Sequence, residues 1–358
     1  MAQTYPPIHY AEYLKVDDLL SLQKPKSEEY GKSAHDEMLF IVIHQVYELW
    51  FRQILFEIDS AIELFSGDRV DERDMLKASS LFQRIIEIQK ILIDQVDVLE
   101  TMTPMDFLEF RDFLYPASGF QSTQFRLIEN KLGLVQRLTY NNQDYKTSLP
   151  QNKQHEVSAT EESPSLFQLL EKWLERTPFL ASEAFDFWKA YREKVEDRIA
   201  TSRQHVMESE LNEEVKTVHL KNLEQMDRSF HSIFNKSEYE KLQQEGYWRL
   251  SHGALCAALF IHLYRDEPIL QLPFQLMTQL ATIDENFTQW RHRHAIMVHR
   301  MLGAKIGTGG SSGHKYLKAT SDKHKVFQDF FNMATFFIPK SDLPELPKEI
   351  SDKLRFRY

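Results

Sequence analysis

One cysteine, Cys256, stands in the whole chain, so no disulfide framework and no cysteine-built metal site can form within it. It falls in the run Ala254–Ile261 and reads as a small core residue. That run is also the longest wholly apolar stretch, far short of the roughly 20 residues a helix needs to cross a bilayer. Glycine is scarce, 11 in 358 residues, and strict polar–apolar alternation is scarce with it, so strands and hairpins have little to be built from. Basic blocks are missing too. Lys and Arg number 43 against 53 Asp and Glu, and the net charge of −10 is spread along the chain. Nothing here forms a phosphate-binding footprint, so nucleic acid is not an expected partner. The opening MAQTYPPIHYAEYL has neither the charged start nor the apolar core of a signal peptide. A cytoplasmic protein without membrane association is the expectation.

What the chain does have is long i, i+3, i+4 patterning, which predicts an all-α fold. Residues 1–34 carry Tyr10, Tyr13, Leu14, Leu19 and Leu20 around a short helix, an arm that needs its own body or a neighbouring subunit to pack on. The strongest helix signal runs from Ala34 to Phe65 and is apolar on more than one face, as a central buried helix would be. A second long helix is expected from Asp71 to Leu99, and Thr103-Pro104 with Asp106 predicts a capped helix that ends at Pro116. Residues 138–165 are polar and turn-rich, read as a surface excursion. A charged, mostly surface helical region follows over about 180–245, then helices over 253–264 and 272–303 and a core helix in VFQDFFNMATFF. No repeat and no domain break is visible.

Two histidines interrupt aromatic stripes. Phe287, Trp290, His294, Met297 and Met301 follow +3, +4, +3, +4 on one helix face, and Phe40, His44, Tyr47 and Phe51 follow +4, +3, +4 on another. A polar ring in such a stripe is either a hydrogen-bonded core residue or a ligand. Two of them among aromatics suit a flat apolar cofactor, and haem fits that description. Glu48, one turn from His44, is placed to orient its ring, and the pair could alternatively contribute to a non-haem iron or zinc site. Arg111, one turn after Phe107, is either structural or offers its fork to a ligand carboxylate. The loop GTGGSSG after Gly303 lacks the Walker spacing and its Lys-Ser/Thr ending. It is a backbone cradle or a plain linker.

Four blocks carry a far more specific likeness: HDEMLFIVIHQVYELWFRQILFEIDS, LETMTPMDFLEFRDFLYPASGFQSTQFRLIENKLG, WLERTPF and WRHRHAIMVHRMLGAKIGTGGSSGHKYL. In this order and over nearly the whole length, the chain resembles the tryptophan 2,3-dioxygenases. The likeness is weakest over 138–165 and 200–245. It implies a large helical domain at 35–358 binding haem b, with residues 1–34 as an arm on a neighbouring subunit of a homotetramer, a dimer of dimers. The implied reaction inserts both atoms of O2 across the indole C2–C3 bond of L-tryptophan, giving N-formyl-L-kynurenine. On this resemblance His294 is the proximal iron ligand, with Trp290 one turn before it, and Ser118 and Gly119 lie near the haem edge. His44 is the distal histidine facing the indole N–H, and Phe40 and Phe107 are pocket aromatics. Arg111 takes the substrate carboxylate, Thr308 meets carboxylate and ammonium, and Tyr10 and Tyr13 reach a neighbour's site. Indoleamine dioxygenases lack the distal histidine, so His44 points to the tryptophan-selective relatives. Met38 stands where histidine is commoner and His314 where tyrosine is usual. A related haem enzyme acting on another indole or aromatic amino acid, or a non-catalytic haem-binding sensor or interaction protein, is the alternative.

Overall fold

Helix capping divides this chain into rods. Asp71 accepts the backbone N–H groups of Arg73 and Asp74 at 2.8 and 3.0 Å. Thr103 and Asp106 bond reciprocally as a capping box, with Pro104 in the first helical position, where a missing N–H costs nothing. The computed structural model of the protein describes residues 5–134, 146, 149–178, 180–182, 185–303, 305, 317, 321 and 323–355. Three short helices come first, α1 (Tyr10–Leu14), α2 (Val16–Leu20) and α3 (Lys26–Glu29). The central rods are α4 (Asp36–Phe65) and α5 (Glu72–Leu99), followed by α6 (Pro104–Arg111) and α7 (Thr123–Leu132). Then come α8 (Gln151–Glu162), α9 (Leu166–Glu175), α10 (Phe187–Glu208), α11 (Glu213–Phe234), α12 (Lys236–Gln244) and α13 (His252–Leu263). The 35-residue α14 (Pro268–Leu302) is the longest described, and α15 (Gln328–Asn332) and α16 (Lys348–Lys353) close the chain. Among the described residues the only strands are the two-residue pair Ala181–Ser182 and Phe185–Asp186, so the all-α expectation holds.

The core is the sandwich of α4, α5 and α14. Ile54 and Ile58 of α4, Phe82 and Ile85 of α5, and Leu276 and Leu280 of α14 are all shut off from solvent. A polar ladder runs through it. Gln279, Asn286, Arg293 and Arg300 are spaced by seven along α14; the first three meet α5 and the last meets Glu100 just past its end. Gln279 donates to the Ser79 carbonyl (3.1 Å) and Asn286 to the Gln89 amide oxygen (3.2 Å). Gln89 in turn donates to the Ile283 carbonyl at 3.0 Å. Arg293 donates to the Ile93 carbonyl (3.3 Å) and pairs with Asp97, and Arg300 pairs with Glu100. Tyr47 and Gln95 tie α4 to the opposite flank of α5 through the carbonyls of Leu92 (2.9 Å) and Ile43 (3.1 Å).

The C-terminal segment is bolted to this core by buried carboxylates. Asp284 accepts the N–H groups of Val326 and Phe327, and Asp329 those of Arg249 and Leu250. Arg249 donates to the carbonyls of Gly133 and Val326 while lying 4.0 Å over the Phe167 ring. Gly133 ends α7 at φ 109°, and a Cβ there would meet Ser165 Oγ at 2.7 Å, so a larger residue has neither the conformation nor the room.

Several expectations shift. The last long helix starts at Pro268, not Leu272, because Pro268 serves as the first helical residue and Pro273 is absorbed inside the rod. The polar excursion holds α8, anchored by the wholly buried Val157 and by Asn130 donating to the Val157 carbonyl and Thr160 hydroxyl. The region 180–245 is three helices, and the VFQDFFNMATFF helix is only α15 followed by a 3-10 turn. The arm forms three short helices, of which α1 and α2 bury nothing. Replacing Ile54 by Ala should lower the unfolding free energy by about 2–5 kcal/mol, read from urea denaturation, since the side chain sits in the closed α4–α5 seam.

Candidate functional site

Between α4, α6, α7 and α14 lies a cavity of about 290 Å³. The two aromatic–histidine stripes form facing walls. Phe40, His44, Tyr47 and Phe51 line it from α4, and Trp290, His294, Met297 and Met301 from α14. Phe107 and Arg111 enter from α6, and Ser118 and Gly119 from the turn before α7. The structure therefore brings eight of the expected site residues to one place or its wall, from segments as much as 254 positions apart. Thr308 and His314 lie outside the described residues. Tyr10 and Tyr13 do not reach this cavity: both are exposed, at 78% and 72%, on α1, in the part of the arm that buries nothing.

His44 is held by its own helix. Its Nδ1 lies 2.7 Å from the Phe40 carbonyl, which can only accept, so Nδ1 carries the proton and Nε2 is left as an acceptor. Glu48 does not orient the ring as expected. Its carboxylate and carbonyl both accept from Gln124, at 2.8 and 2.7 Å, and it reaches His44 only as a charge. Burial pushes the His44 pKa down, partly offset by the Phe40 bond and the Glu48 charge, so the ring is neutral at physiological pH. Phe40 packs 4.1 Å from it, and Phe107 and Phe110 gather round at 5.9 and 5.5 Å from Phe40.

His294 differs. It stacks parallel to Trp290 at 5.6 Å and makes no hydrogen bond among the described residues. Burial, and then the facing His44, lower its pKa to about 4, so it too presents a neutral lone pair. Trp290 is packed edge-on against Phe51 (6.0 Å, 90°) and lies against Phe125 (5.1 Å), which holds the stack against the cavity wall. An unbonded neutral imidazole among aromatics and thioethers is a donor set suited to a soft or borderline metal in a flat apolar group. Among the described residues no cluster of three or more His, Cys, Asp or Glu side chains could hold a bare ion, so the non-haem alternative through His44 and Glu48 has no third ligand there.

A charged cluster in the same wall went unread in the sequence. Glu129, buried, accepts from Arg126 at 2.7 Å and Arg291 at 3.0 Å, with His324 Nδ1 at 3.5 Å. Arg291 also donates to the His324 carbonyl. Burial alone would raise the Glu129 pKa, but the Arg126 guanidinium, the His324 bond and the Arg291 charge together hold it well below the usual carboxylate range. No local motif announces this cluster, because its members come from three separate segments.

The likeness drawn from the motifs is matched by known proteins. A family model described as tryptophan 2,3-dioxygenase matches residues 4–337. The tryptophan 2,3-dioxygenase of Bdellovibrio bacteriovorus is 54% identical over 360 residues, covering 99% of each chain. That of Alteromonas mediterranea is 47% identical with 99% of each covered. That of Dictyostelium discoideum is 44% identical over 98% of this chain and 89% of its own.

Glu129→Gln removes the charge that the buried Arg126 and Arg291 share and should cost about 3–5 kcal/mol at pH 7. A carboxyl depressed in the folded state stabilises fully above its ordinary value of 4.5, and that contribution is lost as pH falls through the folded value. Urea unfolding at pH 7 and at successively lower pH should therefore show the variant's deficit shrinking on acidification; a constant deficit would exclude the assignment.

Proposed function

The chain belongs to the tryptophan 2,3-dioxygenase family, and on that premise we propose that it opens the indole ring of L-tryptophan at C2–C3, with both atoms of O2 retained in N-formyl-L-kynurenine. The observation that carries the reading is the neutral His294, without a hydrogen bond among the described residues, facing the neutral His44 across an aromatic cavity. His294 would hold the iron of haem b, with Trp290 stacked beside it fixing the ring plane and Ser118 and Gly119 near the haem edge. When bound, the haem supplies the oxygen and redox chemistry. The chain's own residues bind and orient the amino acid.

His44 Nε2, the free acceptor, takes the indole N–H, with Phe40 and Phe107 as the aromatic walls of that pocket. Arg111 binds the α-carboxylate through a charge-assisted fork, and Thr308 meets the amino-acid end. Dense apolar packing from Met102, Met297, Met301 and Leu99 keeps water away from the reacting face.

Self-association as a homotetramer, a dimer of dimers, belongs to the same proposal, with residues 1–34 as an intersubunit arm and 35–358 as one domain. Its support is surface chemistry. Val42, Leu49 and Phe56 are spaced by seven and exposed on α4, Ile91 and Val98 likewise on α5, and the arm exposes Tyr5, Ile8, Tyr10, Tyr13 and Leu20. Tyr10 and Tyr13 would complete a neighbour's cavity. No helix among the described residues is long and apolar enough to cross a membrane. A cytoplasmic site of action remains part of the reading.

The test is a Soret band in purified protein that shifts on adding L-tryptophan, with N-formylkynurenine absorbance growing under reducing, aerobic conditions. His294→Ala should lose haem; a variant that binds it normally overturns the iron assignment. Arg111→Ala should weaken L-tryptophan binding by about tenfold or more, the loss of one charge-assisted bond. His44→Ala should retain measurable turnover, since the ring orients the indole; total loss would instead assign it a proton-abstracting role.

A further inference from the structure

Two hydrogen bonds between α5 and α4 bracket His44. Gln95 Nε2 donates to the carbonyl of Ile43, the residue before it, at 3.1 Å, and Tyr47, three residues after it, donates its hydroxyl to the Leu92 carbonyl at 2.9 Å. On the other flank of the same stretch, Arg293, the residue before His294, donates to the Ile93 carbonyl and pairs with Asp97. Every one of these anchors falls on Leu92–Asp97. We infer that this stretch of α5 is the spacer that fixes the gap between the two cavity histidines, and that Gln95 is a positioning residue for His44. The inference rests on the reading of His44 as the residue that meets the indole N–H.

Apolar packing cannot do this work alone. It is non-directional, and α4 is apolar on several faces, so small rotations of the rod exchange one good contact for another. A shift of one residue turns a helix by about 100° and moves it about 1.5 Å. His44 cannot correct such a shift, because its ring is already tied to Phe40 within the same turn. Its place in the cavity is thus the place of its backbone, and a misplacement near 1 Å at a reacting centre costs on the order of a hundredfold in rate. Directional bonds to the carbonyls of Ile43 and Leu92 distinguish registers that packing does not. Tyr47 lines the cavity, whereas Gln95 does not, so Gln95 is the member that acts only through another residue.

The experiment is a double-variant cycle on the haem-loaded, full-length protein, comparing Gln95→Leu with and without His44→Ala. The dissociation constant of L-tryptophan is read from the Soret shift and the midpoint of thermal unfolding is recorded alongside. With His44 present, Gln95→Leu should weaken binding about tenfold, the loss of one oriented bond. On the His44→Ala background the same change should weaken it less than about twofold. Gln95→Lys, which keeps a donor, should recover most of the affinity, and this variant stands in if Gln95→Leu does not fold: full weakening with a donor retained would contradict the inference. Equal weakening on both backgrounds, or none with His44 present, overturns it. A wild-type protein whose Soret band ignores L-tryptophan sinks the proposed function instead, so the two failures are separable.

Discussion

The seam between α14 and α5 governs the rest of this molecule. Buried amides at a spacing of seven accept or donate at fixed points, with Arg293 continuing the row toward the surface, and a one-residue slip would leave Gln89, Asn286 and Gln279 without partners in an apolar interior. Leucines in those places would have packed as well and specified less. The apolar stripe of α14 is thereby turned toward the cavity instead of some other neighbour, and the histidine in it acquires its position from bonds made on a different face of the same rod.

Around that seam the charges are buried in closed sets. Glu129 is shared by Arg126 and Arg291, Asp284 and Asp329 hold backbone N–H groups of distant segments, and Arg249 spans two carbonyls and a ring. Each member satisfies the others, which is what permits ions in a low-dielectric wall. The consequence is rigidity next to a ligand cavity. The cavity itself keeps neutral donors and acceptors facing inward, His44 and His294, and leaves Arg111 as the cation at its α6 edge.

How much of this could be read beforehand follows from where the information lies. The stripes through His44 and His294 were legible because a helix repeats every 3.6 residues and both runs are dense in aromatics and methionine. Family motifs then pointed both at one site. The ladder through Gln279 and Asn286 was not legible, since polar residues on a helix ordinarily face water and these are buried only against α5, nearly two hundred positions upstream. Glu129 and His324 were hidden for the same reason. Glu48 was misplaced by a local ambiguity: spacing allows His44 to meet either a carboxylate one turn ahead or a carbonyl one turn behind. The carbonyl is already fixed and needs no further side-chain ordering, and it holds the ring. The helix Gln151–Glu162 escaped because one buried apolar residue, Val157, is too little periodicity to detect.

The bond from His44 to the Phe40 carbonyl reaches beyond orientation. By spending its only proton on its own helix, the ring meets the cavity as a lone pair and nothing else. In the proposed role it would be a sieve on the polarity of a heteroatom, not on size. A bicycle of the same outline with oxygen or sulfur in place of the ring N–H would set lone pair against lone pair, and a desolvated mismatch of that kind discriminates more sharply than a missing methylene in an apolar pocket.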